Sequence, residues 1–417
     1  MDGMAIVLGG SVMKSASLFL PGIRKIISES CRFVSFEKID LALASLGDAA
    51  NLIGGQEYGI TDSTRKEHGM PADLHVIEGG YLRDILNQPE ALQRTFEALE
   101  EPTALQGLSK KLNQGKFQQI VLTGMGSSFH ALHPLDLQLV NYGFTSIMVE
   151  TSELIHYKNR FFDPKTLIVA VSQSGQSAEM VRLAEVNRKR SPVIAVTNTP
   201  GSALAEHATA VLFTQAGSES SVSCKTYVAT LMALKWLGGI LCQRDVKRSR
   251  RELKHAAPAV AAYLADWKEY VLALAHSLKG IRHLFLVGRG SSRAAVGTGA
   301  LTIKESDHFH AEGMSSASFR HGPFEMLSEE TLVIVFSGDA KTRDLNRRLL
   351  TDIRQQGGRA ELIGEKSEQK YFRLAEYGGI RPMLEILPVQ MVTLALAALV
   401  GREAGKFERA TKITTTE

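Results

Sequence analysis

From about residue 80 onward, short apolar runs that end in glycine or serine turns alternate with amphipathic stretches. The run Leu167 to Val171 is apolar throughout and partly β-branched, which predicts a buried strand. Ser172, Gln173, Ser174, Gly175, Gln176 and Ser177 form a polar turn after it. The next stretch sets Met180, Leu183 and Ala184 on one helical face. Two more strands are predicted at Ile120 to Leu122 and Leu284 to Val287, the first followed by TGMGSSFH (Thr123 to His130) and the second by GRGSSR (Gly288 to Arg293).

These landmarks repeat. Gly126 and Gly290 stand 164 residues apart, and the later turns at Gly175 and Gly338 stand 163 apart. Nearly equal offsets indicate two copies of one fold. Each copy alternates strands with helices, which predicts an α/β protein with open parallel sheets covered on both faces.

The patterning around the copies is plainer. A helix begins near Tyr81, and Pro89 marks a break in it or the start of a second one. Another opens at Pro388 and runs to about Gly401. Its apolar stretch from Met391 to Val400 is too short to span a bilayer. The tail GREAGKFERATKITTTE is polar, so composition predicts fraying; its β-branched run could instead lie in a groove and bring Lys412 to a site. Residues 1–56 offer one convincing strand, at Ile6 to Leu8, with helices predicted at 18–29 and 46–55. Alone they cannot bury a core. Residues 57–78 are polar and read as a linker.

Composition narrows the class. The chain has 417 residues with an apolar fraction of 44% and a net charge of +4, which suits a soluble globular protein and gives no footprint for nucleic acid. Cys31, Cys224 and Cys242 are widely spaced and odd in number, so neither a disulfide framework nor a metal site is predicted and a cytoplasmic location is expected.

The turn at 172–177 carries the candidate chemistry. Free N–H groups and the dipole at a helix start favour an anion, and serine hydroxyls and glutamine amides add neutral donors. There is no lysine in the loop, which points to a small phosphorylated metabolite and away from ATP. An ordinary capped helix would need only one such serine. The second copy has FSGDAKTRD (Phe336 to Asp344) at this place, and Asp339 would repel a phosphate. One ligand site per chain follows, completed by groups from the second copy. Lys304-Glu305 is placed near the middle of a helix, where a buried glutamate would need a partner or would carry a proton. His321 precedes a glycine–proline turn. From spacing alone, Glu305 as a salt-bridged residue and His321 as a surface residue remain open.

The ordered motifs resemble the isomerase half of glucosamine-6-phosphate synthase, which is built from two SIS (sugar isomerase) domains. They are Gln88-Pro89, GMGSSFHA (Gly124 to Ala131), SQSG (Ser172 to Gly175), GSE (Gly217 to Glu219), GRG (Gly288 to Gly290), Lys304-Glu305, HAE (His310 to Glu312), HGP (His321 to Pro323), PVQ (Pro388 to Gln390) and Lys412. The resemblance implies two tandem SIS domains, each a flavodoxin-like three-layer sandwich. Residues 79–246 would bind the phosphosugar, 247–402 would supply glutamate and histidine, and 403–417 would bring Lys412. It further implies that Ser128, Ser172, Gln173, Ser174 and Ser177 hold phosphate, while Ser127, Val222 and Ser223 face the sugar. Glu305 would move a proton between C1 and C2, His321 of a neighbouring subunit would help open the ring, and Lys412 would form an imine. A homodimer follows. No metal, organic cofactor, nucleic acid or membrane is implied.

Departures from that pattern redirect the activity. No glutaminase domain or N-terminal nucleophilic cysteine is seen, so glutamine-driven synthesis is not expected. Thr302 stands where the family has a second active-site lysine, and the loop between Gly217 and Lys225 is one residue short. Residues 1–56 resemble the C-terminal end of the ROK family of sugar kinases, without its catalytic aspartate or zinc motif, so no kinase activity is expected. The implied activity is a deaminase or aldose–ketose isomerase of an amino-sugar 6-phosphate such as glucosamine 6-phosphate, yielding fructose 6-phosphate and ammonia. A non-catalytic sugar-phosphate-binding regulator and a lyase or deglycase of sugar–amine adducts are the alternatives. The first 80 residues show no helix-turn-helix and no basic cluster, which weighs against the regulator.

Overall fold

The structure, a computed structural model, describes residues 4–8, 39–43, 74–376, 378–409 and 411–414. The chain divides into two compact units, Met1–Met70 and Pro71–Glu417. In the first, β1 (Met4–Leu8) pairs in parallel with β2 (Ile39–Leu43). The second strand was not expected from the sequence. The predicted helices at 18–29 and 46–55, and linker residues 57–73, lie outside the described residues.

The second unit holds two parallel sheets. The first comprises β3 (Gln119–Gly124), β4 (Ser146–Glu150), β5 (Thr166–Val171), β6 (Val193–Thr197) and β7 (Ala210–Phe213), in the order β4-β3-β5-β6-β7. The second comprises β8 (His283–Gly288), β9 (Ala311–Ser315), β10 (Thr331–Phe336) and β11 (Arg359–Ile363), in the order β11-β10-β8-β9. Both copies place their first strand beside their second on one side and their third on the other. Such a reversal leaves a crevice at the carboxyl ends of the first and third strands, where open α/β sheets bind ligands. The duplication extends to the backbone, with φ at +51° in Gly126 and +60° in Gly290, and +61° in Gly175 and +69° in Gly338.

Strand side chains alternate between two cores, as a period of two requires. In the first sheet Val121, Ile168, Ala170 and Ala195 join an outer cluster with Met180 and Leu183 of the helix Ala178–Asn187. Their neighbours Ile120, Leu122, Leu167, Val169 and Ile194 face a large central core. In the second sheet Phe285, Val287, Val333 and Val335 form the outer cluster, and Leu284, Leu286, Leu332 and Ile334 face that same central core. The two halves therefore share one interior. At its centre are the helices Lys225–Leu241 and Ile386–Val400, apolar on nearly every side because nearly every side is buried.

Helix boundaries follow local chemistry. Pro89 lies in the first turn of Gln88–Glu97, so it starts a second helix. The last helix begins at Ile386, two residues before Pro388. Its helical stretch extends back to Arg381, and the resulting 20 residues are long and apolar enough to cross a membrane, which corrects the expectation from the shorter run. The stretch is almost wholly packed inside the protein, as a core helix is. Gln88 and Gln390, both buried, exchange side-chain amide hydrogen bonds at 2.8 and 3.1 Å and tie the first helices to the last.

Candidate functional site

The loops after β3 and β5 meet at the reversal point of the first sheet. They line a cavity of about 350 Å³ with Ser127, Ser128, Ser172, Gln173, Ser174 and Ser177. Each loop is fixed by its own hydrogen bonds. Ser172 Oγ accepts from the Gly175 N–H at 3.1 Å, and Ser174 Oγ from the Gln176 N–H at 3.2 Å. The carbonyl oxygen of Gln173 accepts from the Asn198 N–H and from the hydroxyls of Thr197 and Thr199. Ser177 is the N-cap residue of the helix Ala178–Asn187, yet its hydroxyl makes no capping bond. That counts against an ordinary serine cap and leaves the hydroxyl at the cavity wall.

The second half supplies Leu301 and Glu305, both on the helix Arg293–Asp307. Glu305 belongs to the last turn, not the middle, because His308 at φ +53° ends the helix three residues later. Burial pushes its carboxyl above the usual range, against the pull of Lys412 and Lys304. A carboxylate in that position is a stronger base than an exposed one. Thr302 is buried and does not line the cavity.

The tail adds Phe407, Thr411, Lys412, Ile413 and Thr414 to the wall, so residues 411–414 lie in the groove instead of fraying as composition suggested. The carbonyl oxygen of Thr414 accepts from the Ala178 N–H at 3.1 Å, at the start of the serine-loop helix. Lys412 Nζ reaches Glu219 Oε2 at 2.6 Å.

Two expected site residues are placed elsewhere. Val222 is buried in the central core, since an apolar side chain at that position gains more by packing than by facing a polar cavity. Its neighbour Ser223 lines the site. His321 ends the short helix Ser316–Arg320, is exposed, and does not reach the cavity of its own chain.

At the matching place in the second half, Ser291 and Asp339 line a cavity of about 260 Å³, and the neighbouring polar groups are engaged by the protein itself. Ser292, the counterpart of Ser128, donates to Glu385 Oε1 at 2.8 Å. Arg381 bonds the carbonyl oxygen of Gly338 and pairs with Glu365. Asp339 Oδ1 accepts from the Lys341 N–H at 3.0 Å.

Glu219 was visible in the sequence only as part of a motif. Its side chain is fully buried and holds the start of the helix Lys225–Leu241, accepting from the N–H groups of Cys224 and Thr226 at 3.0 Å each. The glutamate two residues after a glycine and shortly before a long apolar helix was the available signal.

Duplicated α/β halves with a serine loop at the switch point define a sugar-isomerase-type architecture. The SIS domain model matches residues 112–238 and 277–399, more than half of the chain, and the chain belongs to that family. It is similar to the isomerizing glutamine–fructose-6-phosphate aminotransferase of Caldanaerobacter subterraneus, 26% identical over 374 residues that cover 83% of this chain and 61% of that protein. The chain thus spans about three fifths of the length of such relatives. Among solved structures, the C-terminal domain of glucosamine-fructose-6-phosphate aminotransferase from Francisella tularensis superposes with a TM-score of 0.69 at 21% identity, covering 80% of this chain and all of that one. Glucosamine-6-phosphate deaminase from Thermotoga maritima gives 0.65 at 18% identity, covering 81% of this chain and all of that one. At these identities the two structures establish a shared fold.

Proposed function

We propose that this protein is a phosphosugar deaminase or aldose–ketose isomerase acting on an amino-sugar 6-phosphate such as glucosamine 6-phosphate. The observation that carries this reading is the meeting of a serine-lined loop, a base and an amine, Glu305 and Lys412, on one cavity wall. Serine hydroxyls and N–H groups near the start of the 178–187 helix hold the phosphate. Ser127 and Ser223 face the sugar. Glu305 takes the proton from C2 of the open-chain aldose and returns it to C1, while the C2 amine loses a proton and the C1 oxygen gains one, converting the amino aldose to a 2-imino sugar with a hydroxyl at C1. The neutral amine of Lys412 then adds to C2, ammonia leaves, and water hydrolyses the lysine imine to fructose 6-phosphate. His321 serves the site of a partner subunit in a homodimer, where it helps open the ring. Burial of Thr302 away from the cavity supports a reaction that does not use the family's second lysine.

The test is incubation of the purified protein with a panel of phosphorylated amino sugars while ammonia and fructose 6-phosphate are followed. Equal release of both from one hexosamine phosphate is expected. Tight binding with no product from any panel member would favour a regulatory binding protein instead.

A further inference from the structure

Lys412 does not stand free in the cavity. Its Nζ donates to Glu219 Oε2 and to the carbonyl oxygen of Ser221, both at 2.6 Å. The remaining partners of the Glu219 carboxylate come from one place, the start of the 225–241 helix. They are the N–H groups of Cys224 and Thr226, the Thr226 hydroxyl at 2.6 Å and the Cys224 thiol at 3.5 Å. The positive end of a 17-residue helix favours an anion there. A carboxylate taken fully out of water also needs a cation, and Lys412 supplies it from 193 residues further along the chain. Burial alone would push the Glu219 carboxyl up. The charge of Lys412 and the bonds from Lys412 and Thr226 outweigh it and hold the group below its usual range. The contact is an ion pair between a buried carboxylate and a lysine from the tail.

The contact that docks the tail thus also fixes the place of the Lys412 amine. We infer that Glu219 is a positioning residue for the reaction proposed above: it clamps the C-terminal tail across the cavity and so holds Lys412 at the site. This rests on the reading of Lys412 as the imine-forming residue. Other charged groups face the pair. Glu305 and Glu179 line the same cavity, and Lys304 acts on Glu305. Asp84 and Lys225 are engaged with each other at 2.7 Å, both nearly buried. Among the described residues, Glu219 is the carboxylate in direct contact with Lys412.

Two readouts test this on the full chain. Trypsin cleaves after Lys406, Arg409 and Lys412 only when the tail leaves the groove. In Glu219→Gln the terminal peptides should appear about ten-fold faster by mass spectrometry than in the unaltered protein, with the rest of the chain still resistant. Glu219→Asp should recover part of the protection. Separately, borohydride trapping of fructose 6-phosphate on Lys412 should fall about ten-fold in Glu219→Gln and recover in part in Glu219→Asp, since a freed tail no longer presents the lysine at the cavity. An unchanged cleavage rate together with unchanged trapping in folded Glu219→Gln would overturn the inference. Should that variant not fold, Lys412→Met removes the other partner and must free the tail to the same degree. Absence of trapping on Lys412 at any pH would defeat the imine reading, while the cleavage rates would still decide the clamp.

Discussion

Ser292 and Glu385 are joined by a 2.8 Å hydrogen bond at the place where, in the first half, Ser128 lines an open cavity. One serine thus has two fates in the duplicated halves: it meets a carboxyl of its own chain in one and faces a cavity in the other. The Glu385 carboxyl is buried, and its Oε2 has no hydrogen-bond partner. Burial pushes it from an ordinary 4.5 to about 7, against the Ser292 bond and the charge of Arg381.

A stability consequence follows. Because the folded state binds this proton more tightly than the unfolded chain, the stabilisation is complete below pH 4.5 and is lost as the pH rises through about 7. The difference is on the order of 3 kcal/mol. Glu385→Gln keeps the Ser292 bond and cannot ionise. It should match the parent protein near pH 4 and exceed it in stability above about pH 8, by up to a few kcal/mol. Denaturant unfolding at both values checks this, and a pH-independent difference would count against it.

Gly175 permits the serine loop to turn. Its φ is +61°, and a Cβ there would lie 2.2 Å from Ser202 Oγ and 2.8 Å from Ser202 Cβ. Ser202 cannot yield easily, because it is fully buried and its hydroxyl caps the next helix by accepting from the Ala205 N–H. Gly201 has φ +70° with nothing within 4 Å, so it carries the backbone penalty alone. Gly201→Ala should cost about 1–2 kcal/mol and leave binding intact. Gly175→Ala should cost more than that and weaken phosphosugar binding by about ten-fold or more, as Ser172 and Ser174 are displaced. Unfolding curves and calorimetric titration of the two variants separate strain from clash.

The contrast between these sites explains what could be read in advance. The strand–turn–helix units were legible because a buried parallel strand must be apolar at every position, as Leu167 to Val171 is, and because Gly175 and Gly338 repeat at the same offset. The duplication and the serine loop followed directly. Val222 came from the family resemblance, and its side chain packs in the central core; a matched motif gives a residue's place in the chain and not which side of the backbone faces a cavity. The packing of Lys412 was open for a different reason. A polar tail gains its order from contacts made far away in sequence, here with Glu219 and Ala178, and no local pattern encodes those. Glu385 escaped notice because its partner Ser292 is 93 residues away.

Glu305 offers a sharper test of the chemistry. It lines the cavity, and its carboxyl is raised by burial, which suits the proton transfer proposed for it better than phosphate binding. Glu305→Gln preserves size and removes the base. Turnover should fall by about 10²–10⁴-fold while the dissociation constant for phosphosugar changes little. The pairing of a kcat measurement with calorimetric binding checks both halves of that statement. Unchanged turnover would remove Glu305 from the mechanism.

His321 is exposed at the end of its helix and does not line the cavity of its own chain, so any part it takes in ring opening must be played in a partner's site. That geometry makes a quantitative demand on mixtures of inactive variants. Glu305→Gln homodimers lack the base in both sites, and His321→Ala homodimers lack the histidine in both. In a mixed dimer one site combines both defects. The other receives Glu305 from the His321→Ala chain and His321 from the Glu305→Gln chain, so it is whole. Random reassociation makes half of the dimers mixed, and an equimolar mixture should regain about a quarter of the activity of the unaltered protein. The assay is turnover before and after exchange of subunits through mild denaturation and refolding. A mixture that stays as inactive as its components would place His321 outside the partner's site.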